Sequence, residues 1–221
     1  MVFLVIFILS MRENPKPILI SFEGIGGCGI STQVKLLSDW FIKNHLKSVV
    51  VSDPGGTVFG EKVAELASGD LKAVIKPASE LLLLAAARAQ LTEEVILPSL
   101  KNGIIVVADR YLDSALAYQG FGREMPEREV KKANELATGG LLPDLTFVID
   151  VCPMKAYERK GAELNDEDKE YFERVRFGYR RVALRNKGRV RLIDGTKTIE
   201  QVHRIVILEL KKKYGEFSGF N

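Results

Sequence analysis

The sequence predicts a doubly wound parallel α/β fold, an open sheet flanked by helices on both faces. Three observations carry that expectation. Short, almost wholly apolar runs recur at Ile18-Leu19-Ile20, Val49-Val50-Val51 and Ile104-Ile105-Val106-Val107-Ala108, as strands buried on both faces of a parallel sheet require. Between them lie stretches with apolar residues at helical spacing, so strand and helix alternate. The first run passes directly into a glycine-rich turn and a helix start, where α/β proteins hold phosphates.

That turn has two readings. Gly24, Gly29 and Ser31 stand at the spacing of the phosphate loop G-x-x-x-x-G-K-[ST]. The backbone N–H groups of Gly24, Ile25, Gly26, Gly27, Cys28, Gly29, Ile30, Ser31 and Thr32 can then converge on an anion at a helix N-terminus. The lysine of that pattern reaches the terminal phosphates, and here it is Ile30; the next hydroxyl, Ser31, is the one that holds magnesium. The same glycines also spell Gly24-x-Gly26-x-x-Gly29, the dinucleotide fingerprint, with Asp53 placed a strand later as a ribose-binding acid. Ser31-Thr32 after the last glycine favours the phosphate loop, and this stretch alone leaves both readings open.

The remaining elements follow in order. Residues 31–47 form a helix with Val34, Leu37, Trp40 and Phe41 at helical spacing, and a short strand follows at Val49-Val50-Val51. Asp53-Pro54-Gly55-Gly56-Thr57 sits at the carboxyl end of that strand, the ligand edge of open parallel sheets; taken by itself it reads as a plain turn. Residues 77–100 form a long helix, apolar almost all round and therefore expected to be buried, with Pro98 near its end. Arg88 is the odd residue there, and it either snorkels to the surface or faces an anion-binding cleft.

The third strand delivers Asp109-Arg110-Tyr111 to the sheet edge that carries the glycine loop. An acid beside a base suits metal and phosphate, and a surface ion pair is the plainer account. Asp113 is expected to cap a helix holding Ser114, Tyr118 and Gln119; residues 126–137 supply another helix, ended by Gly139-Gly140, and residues 144–150 a fourth strand. Residues 154–187 are helical and charge-rich, which fits either a solvated face or a basic lid over phosphates, the lid covering about 153–170. A strand at 190–193 and a helix at 199–214 complete the pattern.

No repeat or linker divides the chain, so one domain is expected over its 221 residues, with residues 1–16 as an N-terminal extension expected to be disordered. The apolar stretch 2–9 is too short to span a bilayer and lacks the basic region and cleavage site of a secretory signal, while Met11 reads like a second start. With 46% hydrophobic and 28% charged residues the chain can bury a sizeable core. A net charge of +3 and a pI near 8.8 suit an anionic ligand, and no basic stripe interleaved with aromatics marks a nucleic-acid partner. Cys28 and Cys152 form no metal-ligand or disulfide pattern; both are expected to be apolar filler, in a reducing, cytoplasmic setting.

Phe22-Glu23-Gly24, Asp53-Pro54-Gly55-Gly56-Thr57, Ala86-Ala87-Arg88-Ala89-Gln90, Asp109-Arg110-Tyr111 with Ser114, Tyr118-Gln119-Gly120 and Pro143-Asp144-Leu145 together resemble the thymidylate kinase family. The resemblance covers nearly the whole chain from Ile18 onward, rests on the order and spacing of the motifs, and decides the glycine loop in favour of phosphate. It implies a P-loop NTPase-type fold with a helical lid, and transfer of the ATP γ-phosphoryl group to dTMP, giving dTDP and ADP with Mg2+. Carried over by position, residues 24–32 cradle ATP, Ser31 and Asp109 serve the metal, and Asp109, Arg110 and Arg159 act in catalysis. Asp53, Leu84, Arg88, Arg110, Ser114, Tyr118 and Gln119 form the thymidylate site. The resemblance also implies a homodimer, for which Leu81 to Leu84 are an interface candidate; burial in the monomer core is the competing account.

The departures from the family pattern fall on functional positions. Ile30 replaces the loop lysine, Gly26 an acid that reads the sugar, Ser52 an arginine, and Leu84 a phenylalanine that stacks on thymine; Gly161-Ala162-Glu163-Leu164-Asn165 lacks the lid's Asp-Arg. Two accounts follow. In one, the chain is a nucleoside monophosphate kinase whose missing charge comes from Arg159, Lys160 or Lys169 in the lid, with relaxed acceptor choice. In the other, it is an inactive homologue that binds nucleotide through backbone amides and serves as a regulatory subunit. Retained Arg88, Arg110, Ser114 and Gln119 favour the kinase.

Overall fold

The computed structural model describes residues 16–67 and 75–215. The expectations for the N-terminal extension fall, apart from Lys16, outside the described residues. Strand β1 (Leu19–Glu23) is buried along its whole length and runs through the glycine loop into α1 (Ile30–Lys43). There follow β2 (Ser48–Ser52), α2 (Val58–Ala67), α3 (Pro77–Leu91), a π-helical turn (Thr92–Ile96), α4 (Leu97–Lys101), β3 (Ile105–Asp109) and α5 (Leu112–Ala115). A second π-helical stretch (Leu116–Gly122) leads to α6 (Glu127–Thr138), β4 (Leu145–Asp150), α7 (Pro153–Lys160), α8 (Asp166–Arg185), β5 (Val190–Asp194) and α9 (Ile199–Tyr214).

The five strands form one parallel sheet in the order β2-β3-β1-β4-β5, which is the expected doubly wound class. Successive residues of a strand face opposite sides, and the burial follows that rule. Ile20, Phe22, Ile105, Val107 and Phe147 pack with Leu37 and Phe41 of α1, Val182 of α8 and Val206 and Leu210 of α9. Leu19, Val106 and Ala108 pack on the other face with Leu91 and Ile96. Both faces are thus covered, and every strand ends its carboxyl terminus along one edge. The glycine loop and Asp109 meet at that edge because Phe22 is in register with Asp109.

Three expectations are corrected. The helix that begins at Pro77 is not buried all round: Leu82 is 65% exposed, Ala86 is exposed and Leu83 and Leu84 are half-buried, while Leu81, Ala85, Ala87, Arg88 and Leu91 are buried. An apolar circumference does not create a partner for every face. The first helix stops at Lys43 rather than running to 47, because Asn44 caps it and His45 turns into positive φ. Asp113 is no exposed cap; it lies in the first turn of α5 with its side chain fully buried, where Arg189 donates to it from Nη1 at 2.6 Å and Nη2 at 2.8 Å.

Candidate active site

The glycine loop is shaped by what presses on it. Gly24 has φ +151 and a Cβ there would lie 2.7 Å from the Ile149 carbonyl oxygen; Gly27 has φ +91 and its Cβ would lie 2.2 Å from the Ala156 carbonyl oxygen. Only glycine fits at either position. The second contact also shows that α7, the first helix of the expected lid, is packed directly on the loop. Ile30 is 5% exposed and belongs to the core beneath the loop, and Cys28 joins it as apolar filler, its thiol pushed up to about 11 by burial. Ser31 at the start of α1 is exposed and donates to Asp109 Oδ2 at 2.8 Å. Arg159 of α7 donates from Nη2 to the Gly195 carbonyl at 2.8 Å and from Nη1 to the Cys28 carbonyl at 3.4 Å, so it ties α7 to the loop.

A second group of charges stands beside the loop at the ends of β1 and β3. Arg110 does not pair with Asp109 as a surface ion pair. It adopts φ +70, a conformation unfavourable for a side-chain-bearing residue, and such strain is concentrated at functional sites. Its Nη1 donates to the Gly24 carbonyl at 2.7 Å and to the Tyr179 hydroxyl at 3.2 Å, and its guanidinium lies 5.3 Å from the Tyr118 ring centre. Beneath it Glu23, fully buried, accepts from the Tyr111 amide at 2.9 Å, from Ser114 Oγ at 2.5 Å and from Tyr179 at 3.2 Å. Burial, followed by the nearby Asp113 charge, raises the Glu23 carboxyl to about 8 against the opposing pull of Ser114, Arg110 and the Tyr111 amide.

Arg88 takes neither of its two expected courses in simple form. It is 2% exposed, and it donates from Nε to Asp53 Oδ2 at 2.5 Å and from Nη1 to Asn134 Oδ1 at 2.8 Å. Asp53, raised by burial and held back by Arg88, leaves Oδ1 buried with no hydrogen-bond partner among the described residues. Gln119 is buried and donates to Glu80 at 2.7 Å. Tyr118 packs edge-on against Tyr179 and Tyr171. Leu84 is half-buried on α3. Arg110, Ser114 and Tyr118 are therefore joined to the loop in one cluster with Glu23 and Tyr179, Ser31 and Asp109 form a second contact at its mouth, and Asp53 and Arg88 form a buried pair.

The sequence did not single out Glu23, Tyr179, Asn134 or the Asp113–Arg189 pair as site residues. Tyr179 reaches Glu23 across 156 positions of chain, and no local pattern reports such a contact. The dinucleotide reading fails on strand order: β3 lies between β1 and β2, which sets Asp53 two strand spacings, about 10 Å, from the glycine loop. Among the described residues no group of three His, Cys, Asp or Glu side chains can hold a metal, and no helix is long and apolar enough to cross a membrane.

A sequence profile of the thymidylate kinase family matches residues 22–206. The chain is 45% identical over 192 residues to thymidylate kinase of Caldanaerobacter subterraneus subsp. tengcongensis, covering 85% of this chain and 92% of that protein. It is 46% identical over 192 residues to thymidylate kinase of Fervidobacterium nodosum, covering 85% of this chain and 95% of that protein. The crystal structure of thymidylate kinase from Ehrlichia chaffeensis superposes with a TM-score of 0.73 at 33% identity, over 89% of this chain and 99% of that one. With a parallel sheet of matching architecture, a glycine loop closed by α7 and a profile match spanning most of its length, the chain belongs to the thymidylate kinase family.

Proposed function

We propose that this protein is an ATP-dependent dTMP kinase that forms dTDP and ADP. The observation that carries this reading is the hydrogen bond from Arg110 Nη1 to the Gly24 carbonyl, 2.7 Å long. It sets a cation of the acceptor side one bond away from the loop that cradles the donor, as in-line transfer between two phosphates requires. The acceptor phosphate oxygen attacks the γ-phosphorus, the bond to the bridging β–γ oxygen breaks, and ADP leaves with the electron pair. Residues 24–32 bind the ATP phosphates through backbone N–H groups. Arg110 clamps the dTMP phosphate, held in its strained turn by Glu23, Ser114 and Tyr179. Tyr118, Leu84 and Gln119 line the nucleoside pocket, and the Asp53–Arg88 pair, with Oδ1 of Asp53 unpartnered, offers the nucleotide a buried polar contact.

Ser31 Oγ and Asp109 Oδ2 fit Mg2+. They are hard oxygen donors 2.8 Å apart at the mouth of the loop, and Mg2+ takes one or two protein oxygens while its other ligands are phosphate and water. The ion would neutralise charge on the β- and γ-phosphates. The exposed apolar residues Val58, Phe59 and Leu66 of α2 and Leu82 of α3 favour the homodimer, with α2 and α3 as the contact, and the two-cysteine content favours the cytoplasm. The placement of Arg110 at the glycine loop favours the kinase over the inactive-homologue account.

The test is ADP release with Mg-ATP and a panel of nucleoside monophosphates, with product identified by chromatography. The expected result is turnover that is fastest with dTMP and yields dTDP. Nucleotide binding without turnover on any acceptor overturns the reading.

A further inference from the structure

A phosphate loop without its lysine lacks the cation that reaches the donor's terminal phosphates. Ile30 does not supply it by any adjustment, since its side chain is 5% exposed and packed in the core with Val34, Ile25 and Cys28. Besides Arg110 and Arg159, which donate to loop carbonyls, a third cation reaches the loop from α7. A Cβ on Gly26 would lie 3.0 Å from Lys160 Nζ and 3.5 Å from its Cε, and a Cβ on Gly27 would lie 3.3 Å from Lys160 Cγ. The Lys160 side chain therefore runs along the loop, with its ammonium in tight contact with the place that a Cβ at position 26 would take.

We propose that Lys160 takes the place of the missing loop lysine, binding the terminal phosphates of ATP, and that Gly26 has no side chain so that the Lys160 ammonium can lie across the loop. Three observations support this independently of Ile30. Lys160 stands in the last turn of α7, which Gly161 ends in a left-handed cap whose N–H bonds back to the helix. The α7 backbone is held on the loop by the Gly27–Ala156 approach and by the Arg159 bonds to Cys28 and Gly195. Lys160 makes no ion pair among the described residues; its one interaction of note is with the Tyr157 ring, 5.2 Å away. Its neighbour Arg159 already donates to two backbone carbonyls, which leaves Lys160 uncommitted at the loop among the described residues. In the transfer step Lys160 exchanges no proton; it holds positive charge against the oxygens of the γ-phosphoryl group as the bond to ADP breaks and the bond to the acceptor forms.

This inference rests on the kinase reading, and its test has an arm that does not need turnover. Lys160→Met is expected to lower kcat about 100-fold while KM for dTMP stays within about twofold, and Lys160→Arg is expected to keep most of the activity. Adding Ile30→Lys to Lys160→Met is expected to recover at least about tenfold, which a purely structural role for Lys160 does not predict. In direct titrations by fluorescence, wild type should bind ATP more tightly than AMP, and Lys160→Met should lose most of that difference. Loss of the ATP preference supports Lys160 even if wild type turns over no acceptor, in which case the kinase reading alone fails. The proposal is overturned if Lys160→Met matches wild type in kcat and in ATP preference, or if Lys160→Arg is as impaired as Lys160→Met and Ile30→Lys rescues nothing.

Discussion

The proposed donor and acceptor sides of the site meet at one edge of the sheet, yet they are built on different principles. On the acceptor side the charged groups are embedded. Glu23, Asp53 and Arg88 are each 3% exposed or less, and each is tied to partners from other elements. On the donor side the loop offers mainly backbone N–H groups, and the cations Arg159 and Lys160 sit exposed on a packed helix. A buried charge that loses its partner is strongly destabilising, whereas a phosphate exposed at a loop accepts positive charge from any direction. The lysine could be lost from position 30 for that reason, while the embedded arginines Arg88 and Arg110 kept their type even though Gly26 and Leu84 depart from the family pattern.

The largest expected effect is at the junction of the two sides. Arg110→Met should lower kcat/KM for dTMP by about 1000-fold, since it removes a charge aimed at the reacting phosphates. Steady-state kinetics with dTMP varied, alongside ATP titration, will read it. If ATP affinity falls in parallel, the Arg110–Gly24 bond makes the two sides one unit and the contrast between them breaks.

Arg88→Met comes next, and it should act on stability. It strands the Asp53 carboxylate in the interior, which costs about 3–5 kcal/mol, measured by urea unfolding. The double variant Arg88→Met with Asp53→Asn removes the stranded charge and should recover more than half of the loss. Equal losses in the single and double variants would mean that packing, rather than charge, dominates at this pair.

The acceptor side should also carry a pH signature. Burial raises the Glu23 carboxyl from 4.5 to about 8, so between those values the folded protein holds a proton that the unfolded chain has released. Stability from this group is therefore fully present below about pH 4.5 and is lost as pH rises toward 8. Glu23→Gln, which cannot titrate, should flatten the fall in melting temperature across that window. An unchanged slope would show that Ser114, Tyr111 and Arg110 hold the carboxylate charged after all.

The same contrast explains what was legible in the sequence. Strands and helices could be read because apolar runs and helical spacing report burial directly; the last helix, expected at 199–214, is found at Ile199–Tyr214. The Ser31–Asp109 pair was legible since both stand at motif positions, one opening the helix after the first strand and the other ending the adjacent strand β3. The partners of Arg88 were not, because Asp53 and Asn134 come from elements 35 and 46 residues away. Leu82 misled for the opposite reason: an apolar residue states what it would bury, and only the tertiary structure says whether anything covers it. Lys160 was legible only as one of three lid cations, with Arg159 and Lys169, and its distance to Gly26 is what singles it out.

The smallest effect should come from restoring the missing residue. In an otherwise native background Ile30→Lys should change kcat by less than about threefold, because the ammonium of Lys160 already lies at the loop and a second cation there adds charge to a site that is served. It should destabilise the fold slightly. Burying an isoleucine stabilises by about 1.5–3 kcal/mol, but the lysine stem can cover part of the same surface while its head reaches out, so a loss of roughly 1 kcal/mol is expected in urea. A tenfold rise in kcat would instead mean that the donor side has been working short of charge, and that the contrast between a tolerant donor side and an exacting acceptor side is one of lost function rather than of relocated charge.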